Sequence, residues 1–442
     1  MQNILIAGAG KSASWVIDYM LRNAKNQWQV IVMDANADLI HEKLNNHPKG
    51  IAAVVDIHDE ATRQHLVKQA DIVLSLMPPH LHILLAQDCL KFGKNLITSS
   101  YASDDMLAMD EAVRKAGLMF MCEMGLDPGI DHMSAAQMIQ GIHRIAGVVT
   151  SFKSSCGGLV APESDDNPWQ YKIAWNPRNI VLAGKAGAVW KDSGKIHEIA
   201  YPEVFEHPKK IKIPNLGVLA AYPNRDSLKY QNIYQIHDVK TLVRATLRYP
   251  AFIKGWDYII KAGLTDENDA IDAEELTYSA WVALKTGLTD DDRLTDNFKQ
   301  KYQADAKTMK MLEWLRIFEP RLINGSKSTD SATILQELLE RRWKMRPTDK
   351  DMVVMQHEVE YERKGQNNKV TATLVVIGED KLYSAMAKTV GLPMGILAKK
   401  ILKGEIDPQG LQGVQIPVIP EVFNPVLREL KKHGIEFIED LN

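Results

Sequence analysis

Six short apolar runs recur through the first 122 residues, at 3–7, 30–33, 51–55, 72–76, 95–98 and 118–122, and they restrict what this part of the chain can fold into. Each run is continuous rather than alternating, as in strands buried on both faces, and each interval is long enough for a crossover helix. The pattern predicts an α/β fold built on a Rossmann-type doubly wound parallel sheet of six strands. The first strand runs directly into Gly8-Ala9-Gly10-Lys11-Ser12-Ala13, a G-x-G-x-x-A sequence that opens a helix through Trp15, Ile17 and Met20. Gly8 permits a tight turn, Gly10 lets backbone approach a pyrophosphate, and Ala13 allows close packing of helix on strand. Asp34, at the end of the second strand, stands where an acid binds ribose hydroxyls. Gly8, Ala9, Gly10, Lys11 and Asp34 are therefore candidate cofactor contacts.

Other polar groups cluster at the same sheet edge, where open α/β folds bind ligands. Asp56 with Ile57 follows strand three, and Leu76 follows strand four ahead of Pro78 and Pro79; all lie beside the expected cofactor. Asp56 is equally readable as a helix cap. Strand five ends in Thr98-Ser99-Ser100-Tyr101, hydroxyls able to hold a carboxylate or an amine, or to cap a helix. Strand six ends in Glu123-Met-Gly-Leu-Asp-Pro-Gly-Ile-Asp-His132, three acids and a histidine around two turn signals. Asp131 and His132 are adjacent and would splay on a helix, and the H-x-x-x-H and E-x-x-H spacings of helical sites are missing, so no metal is expected.

Beyond Asp127-Pro128-Gly129 the pattern changes. A helix is expected over 132–143, a strand over 148–153, and a loop rich in Gly, Pro and Asn as far as Pro177, opening a second α/β domain with a mixed sheet. Residues 265–349 are charge-rich and helical, with Met311, Leu315 and Phe318 on one stripe and Ile334, Leu335, Leu338 and Leu339 on another. Residues 352–360 and 370–377 read as a hairpin around a loop at 363–369. The expected division is 1–125 as the dinucleotide-binding domain, rejoined by 384–442; 126–264 and 350–383 as a substrate and dimerisation domain; and 265–349 as a helical insertion. At roughly 150 residues per domain, 442 residues accommodate these three parts.

Charge and cysteine content narrow the partners. Fifty-three Lys plus Arg against fifty-six Asp plus Glu give a net charge of −3, without the positive field of a nucleic-acid binder, so a small molecule is the expected partner. Three widely spaced cysteines with no CxxC suggest neither a disulfide framework nor a zinc site, and a reducing compartment. No apolar run approaches the ~18–20 residues of a membrane span, so no membrane partner and a cytoplasmic location are expected.

Most of the chain carries a family resemblance. The 123–132 segment, Ser155-Cys-Gly-Gly-Leu159 with Ala161-Pro-Glu163, Asn167-Pro-Trp169, Ala221-Tyr-Pro-Asn-Arg-Asp-Ser227, Thr246-Leu-Arg-Tyr249 and Tyr383-Ser-Ala-Met-Ala-Lys388 together resemble the saccharopine dehydrogenase family of the glutamate-forming type, from residue 3 almost to the C-terminus. The resemblance implies the three-part architecture, NAD or NADP as cofactor, a homodimer, and interconversion of saccharopine with glutamate and 2-aminoadipate 6-semialdehyde in lysine metabolism. It implies substrate contacts at Ser99, Ser100, Leu126, Asp127, Arg225, Thr246, Leu247 and Arg248, and places Trp175 near the cofactor, whereas Trp169 and Tyr171 are expected to pack the loop. A substrate with three carboxylates suits arginine forks and hydroxyl donors.

The base that takes the amine proton is left open among Asp127, His132, Tyr101 and Cys156, the last in a Gly-Gly turn motif and assigned a packing or contact role. Lys11-Ser12-Ala13-Ser14-Trp15 departs from the more apolar loop of the family. Asp34-Ala35 favours NAD, because the strand-two arginine of NADP-using fungal members falls at Ala35 and a carboxylate repels a 2′-phosphate. Two alternatives stay open: a carboxynorspermidine-type dehydrogenase of polyamine metabolism, and a dinucleotide-binding sensor without turnover.

Overall fold

The computed structural model describes residues 1–323 and 328–441; positions 324–327 of the expected helical insertion and residue 442 lie outside the described residues. The chain divides into two compact units, one of Met1–Val148, Glu362–Gln366 and Leu374–Ile438, the other of Val149–Tyr361 and Asn367–Thr373 with the last residues.

The first unit is a parallel sheet: β1 (Gln2–Ala7), β2 (Trp28–Asp34), β3 (Gly50–Val54), β4 (Ile72–Ser75), β5 (Asn95–Thr98) and β6 (Met119–Met121), in the order β6-β5-β4-β1-β2-β3. A seventh strand, Gly413–Gln415, adds beside β6 from the C-terminal region. Six strands were expected; the seventh, Gly-Val-Gln, has a single large apolar residue and so no apolar run to register. Continuous burial holds for β4 and β6, but β3 is the edge strand and none of its residues is buried. Crossover helices α1 (Ser14–Ala24), α2 (Ala37–Leu44), α3 (Glu60–Gln69) and α4 (His82–Phe92) link the strands, followed by α5 (Asp104–Ala108) and α6 (Asp110–Lys115). Below the sheet Leu5, Ile31, Val73, Leu96 and Phe120 share one apolar core. The long helix Ala385–Leu402 packs on α1 through two glycines: a Cβ at Gly391 would stand 3.0 Å from the Val16 nitrogen, and one at Gly395 would stand 3.0 Å from the Tyr19 ring.

One expected boundary shifts. The helix α7 (Ile130–Arg144) belongs to the first unit, packed against the helix Pro420–Lys432, so residues 126–148 do not open the second domain. A chain-direction change at Asp127-Pro128-Gly129 reads like a domain boundary in sequence; here it is a turn within one unit.

The second unit carries a mixed sheet. Its strands are β7 (Val148–Val160), β8 (Ala188–Asp192), β9 (Lys195–Ile199), β10 (Lys209–Ile213), β11 (Gly217–Pro223), β12 (Arg225–Asp226), β13 (Thr241–Arg248), β14 (Asp351–Arg363) and β15 (Gln366–Ile377). The central order is β10-β11-β13-β7-β14-β15. Two loop expectations fail. Ser155-Cys-Gly-Gly is not a turn but the body of β7, and Gly157 is required because a Cβ there would lie 2.2 Å from the Leu247 carbonyl oxygen of paired β13. The expected 363–369 loop contracts to a two-residue turn, Lys364 and Gly365, both at positive φ as the twist of a tight hairpin demands. The helices between 265 and 349 share one core with Trp169, Tyr171, Phe252 and Trp256, so they are part of this unit rather than a separate insertion. Trp169 and Tyr171, expected to pack a loop, are at the centre of that core.

Candidate active site

The phosphate loop takes its shape from backbone demands. Gly8 has φ +100°, and a Cβ there would meet the Leu76 carbonyl group at 3.0 Å, so this position brings β1 and the end of β4 together. Gly10 is exposed, with no atom within 4 Å of where a Cβ would stand. Ala13 at the start of α1 provides no side-chain cap, which leaves first-turn N–H groups for an anion. The Ala9 N–H donates to Asp34 Oδ2 at 2.7 Å and its side chain is buried, so it ties the loop to the end of β2. Asp34 also accepts from the Asn36 N–H at 2.9 Å, while Lys11 is exposed. An open glycine, uncapped helix and oriented carboxylate fit a dinucleotide by shape and donor set. At the neighbouring edge Asp56 is exposed and accepts from the His58 N–H; the cap of α3 is Asp59, not Asp56. Ile57 is buried in the core below the sheet, and Leu76 is half-buried.

At the ends of β5 and β6 the chain is laced together by backbone bonds. The N–H groups of Glu123 and Met124 donate to the carbonyls of Ser100 and Thr98, and Gly125 packs on Ser99, where a Cβ would stand 3.0 Å from the Ser99 carbonyl oxygen. Gly129 closes the turn: φ is +148°, and a Cβ would lie 2.0 Å from the Gly125 carbonyl oxygen. Within 121–136 every residue is buried except Asp127. Asp127 accepts from the Tyr101 hydroxyl at 3.0 Å, and both are half-buried. His132 is corrected as a candidate base. It is fully buried, with Nε2 2.7 Å from Glu123 Oε2 and Nδ1 3.6 Å from Asp131 Oδ2, so it braces the loop from beneath and has no open face for a substrate. Leu126 is also nearly buried, at 5% exposure. Ser103, not Ser99 or Ser100, caps α5, which leaves the β5 hydroxyls for other work.

In the second unit strand alternation sorts the expected contacts. Leu247 is buried in a core with Leu159, Ala161, Met352 and Val354, so its side chain is corrected from a substrate contact to packing. Thr246 and Arg248 face the other way. Arg248 is 4% exposed; its guanidinium lies 5.6 Å from the Tyr171 ring and 5.7 Å from the Phe252 ring, and Nη1 donates to the Leu247 carbonyl at 2.8 Å. Its Nε has no hydrogen-bond partner, and no carboxylate among the described residues reaches ion-pair distance. Trp175 donates to the Tyr171 hydroxyl at 2.9 Å and packs on the same aromatic core, so two expected site residues meet through one that was assigned to loop packing. Arg225 is exposed, at φ +59° in β12. Cys156 is buried in β7, in register with Thr246.

One polar constellation had no sequence signal. His82, at the start of α4, is buried, with Nδ1 2.7 Å from the Ser75 hydroxyl and Nε2 2.8 Å from the Ser100 hydroxyl. Burial, helped by His80, pushes its imidazole down to about 4 from an ordinary value of 6.5. Between these values the unfolded chain binds a proton that the folded chain does not. Stability from this group is therefore intact above about 6.5 and falls by about 3 kcal/mol as pH drops towards 4. Unfolding free energy measured by denaturant titration at several pH values should show this slope, and His82→Gln should flatten it; an equal slope in both proteins would remove the assignment.

Among the described residues no three His, Cys, Asp or Glu are grouped to hold a metal ion, and no helix is long and apolar enough to cross a membrane. A parallel sheet of this strand order, with a glycine loop under an uncapped helix and a carboxylate at the next strand end, defines a Rossmann-type dinucleotide-binding protein. Residues 4–121 match the family model described as Saccharopine dehydrogenase NADP binding domain, and residues 125–435 match Saccharopine dehydrogenase C-terminal domain. The chain belongs to the saccharopine dehydrogenase family. Saccharopine dehydrogenase, NADP(+), L-glutamate-forming, of Schizosaccharomyces pombe is 32% identical over 455 residues, covering 100% of this chain and 99% of the relative. Alpha-aminoadipic semialdehyde synthase, mitochondrial, of Bos taurus is 33% identical over 99% of this chain but only 47% of its own length. The solved structure of apo histidine-tagged saccharopine dehydrogenase (L-Glu forming) from Saccharomyces cerevisiae matches with a TM-score of 0.87 at 29% identity, over 100% of both chains.

Proposed function

We propose that this chain oxidises saccharopine to glutamate and 2-aminoadipate 6-semialdehyde. The observation that carries the reading is Arg248, a buried guanidinium with an unpartnered Nε and, among the described residues, no carboxylate at ion-pair distance. A buried cation in this state is matched by an anionic ligand group, and saccharopine brings three carboxylates. Thr246 on the same strand face adds a hydroxyl donor, and Arg225 a second cation. The relatives named for saccharopine support the same substrate, whereas a carboxylated polyamine calls for acids where this chain has arginines.

Asp127 is the group we assign to take the proton of the substrate's secondary amine, with the Tyr101 hydroxyl holding the carboxylate in place. The bound nicotinamide ring supplies the hydride acceptor. Loss of hydride from the carbon on the amine leaves an imine in the substrate, and water adds to that carbon; the proton held on Asp127 then passes to the departing glutamate nitrogen. Ser99 and Ser100 orient the substrate's polar groups beside this pair.

Appearance of reduced cofactor with purified protein and saccharopine, and none with carboxynorspermidine, is the expected result. Turnover of carboxynorspermidine alone would establish the polyamine reading, and turnover of neither would leave the sensor.

The cofactor preference is proposed as NAD, against the NADP(+) in the names of the fungal relatives. Asp34 presents an oriented carboxylate at the ribose position and Ala35 beside it is exposed and uncharged, so a 2′-phosphate meets a like charge where its recognition usually needs an arginine. Steady-state kinetics should give a higher kcat/KM with NAD, and Asp34→Ala should shift the ratio towards NADP. A tenfold or greater NADP preference in the unaltered protein would overturn the proposal. A homodimer and a cytoplasmic location complete the reading; light scattering tests the first.

A further inference from the structure

Ser75, His82 and Ser100 form a hydrogen-bonded row of which the reaction as described uses only Ser100. Ser75 is the last residue of β4, aligned with Ala7 on one side and Thr98 on the other, and its side chain is fully buried. Its hydroxyl reaches one side-chain partner among the described residues, the Nδ1 of His82 at 2.7 Å. A buried hydroxyl that only accepts leaves its proton without an acceptor, whereas one that donates leaves only a spare lone pair, the lesser loss. Ser75 therefore donates, and Nδ1 accepts. The ring is neutral, since burial holds its pKa far below 7 and no carboxylate of the described residues pairs with it. A neutral ring accepting at Nδ1 carries its proton on Nε2, which points at Ser100 Oγ from 2.8 Å.

The consequence falls on Ser100. Its oxygen accepts from the ring, so its own proton is free and turned away from His82. Ser100 is half-buried rather than sealed, two residues beyond β5 and next to Tyr101, whose hydroxyl is held by Asp127. With the opposite tautomer Ser100 would spend its proton on Nε2 and offer lone pairs alone, which suit an ammonium group. We propose that His82, fixed by Ser75, is a positioning residue that sets Ser100 as a hydrogen-bond donor, so that this hydroxyl reads a carboxylate of the substrate rather than an amine. The assignment of the ligand group rests on the saccharopine reading above; the tautomer does not.

Two measurements test it. The ring nitrogens of 15N-histidine-labelled full-length protein, with His82 assigned by its loss in His82→Gln, should show a protonated Nε2 and an unprotonated Nδ1 near pH 7.5; a protonated Nδ1 overturns the proposal whatever the substrate is. In saccharopine oxidation Ser100→Ala and His82→Phe should each raise KM for saccharopine about tenfold, with kcat and cofactor Kd less affected, and the double variant should be no worse than Ser100→Ala, since both act through one hydroxyl. His82→Gln, whose amide can still donate to Ser100, should recover part of the loss. Additive effects, or a glutamine variant no better than phenylalanine, overturn it. If His82→Phe does not fold, Ser75→Ala releases the tautomer with minimal disturbance and should raise the same KM; an unchanged KM there is equally fatal. Failure of the unaltered protein to use saccharopine, with Nε2 protonated, would reject the substrate while leaving the His82 assignment standing.

Discussion

Asp127→Asn is expected to lower kcat for saccharopine oxidation by about 10²- to 10⁴-fold, the range over which a positioned proton acceptor contributes. The replacement keeps shape and an oxygen for the Tyr101 hydroxyl, so the turn held by Gly125 and Gly129 persists and the lost property is the basic carboxylate. Two readouts separate chemistry from damage: cofactor affinity by titration should stay near that of the unaltered protein, and the acid limb of the kcat/KM pH profile should disappear. A loss under tenfold with the acid limb intact would move the base elsewhere. His132 is then no refuge for the assignment, because it is sealed against Glu123 and Asp131.

Arg248→Met should reduce kcat/KM for saccharopine by roughly ten- to 150-fold, corresponding to about 1.5–3 kcal/mol for a charge-assisted hydrogen bond. Arg248→Lys should recover little, since an ammonium cannot reproduce a planar fork. The informative comparison is with stability. Among the described residues the buried guanidinium has two aromatic rings and one carbonyl for company, and such a charge is a net burden until its anion arrives. Thermal unfolding of the free Met variant should therefore be unchanged or raised while activity falls. A lowered Tm with proportionate loss of cofactor binding would mark Arg248 as a structural residue. Arg225→Ala should show a smaller effect, because that side chain is exposed.

The parts of the fold and site that were legible in the chain are those set by short-range rules. Continuous apolar runs specify strands buried on both faces, and Gly8, Gly10 and Asp34 could be placed because the turn, the helix start and the strand end that hold them are contiguous in sequence. The substrate motifs were recognisable by resemblance, but resemblance did not sort Thr246, Leu247 and Arg248; the pleat did, turning the middle residue into the core. Glycine misled twice, once at Gly157, where it serves close strand pairing rather than a turn, and once at Asp127-Pro128-Gly129, where a turn inside one unit looked like a domain border.

What only the tertiary structure decided is the state of groups whose partners come from distant strands. Ser75, His82 and Ser100 lie 7 and 18 residues apart, on β4, on α4 and just beyond β5, and no spacing rule connects them; their alignment follows from the parallel register of β4 and β5 beneath the first turn of α4. Full burial of His132 and partial burial of Asp127, five positions apart in one acidic segment, likewise follow from which side of a closed turn each occupies. Local sequence specifies which chemistry is present, through residue type and contiguous geometry. Solvation and hydrogen-bond saturation, which decide whether that chemistry is available, are properties of packing and arise only when the strands are assembled.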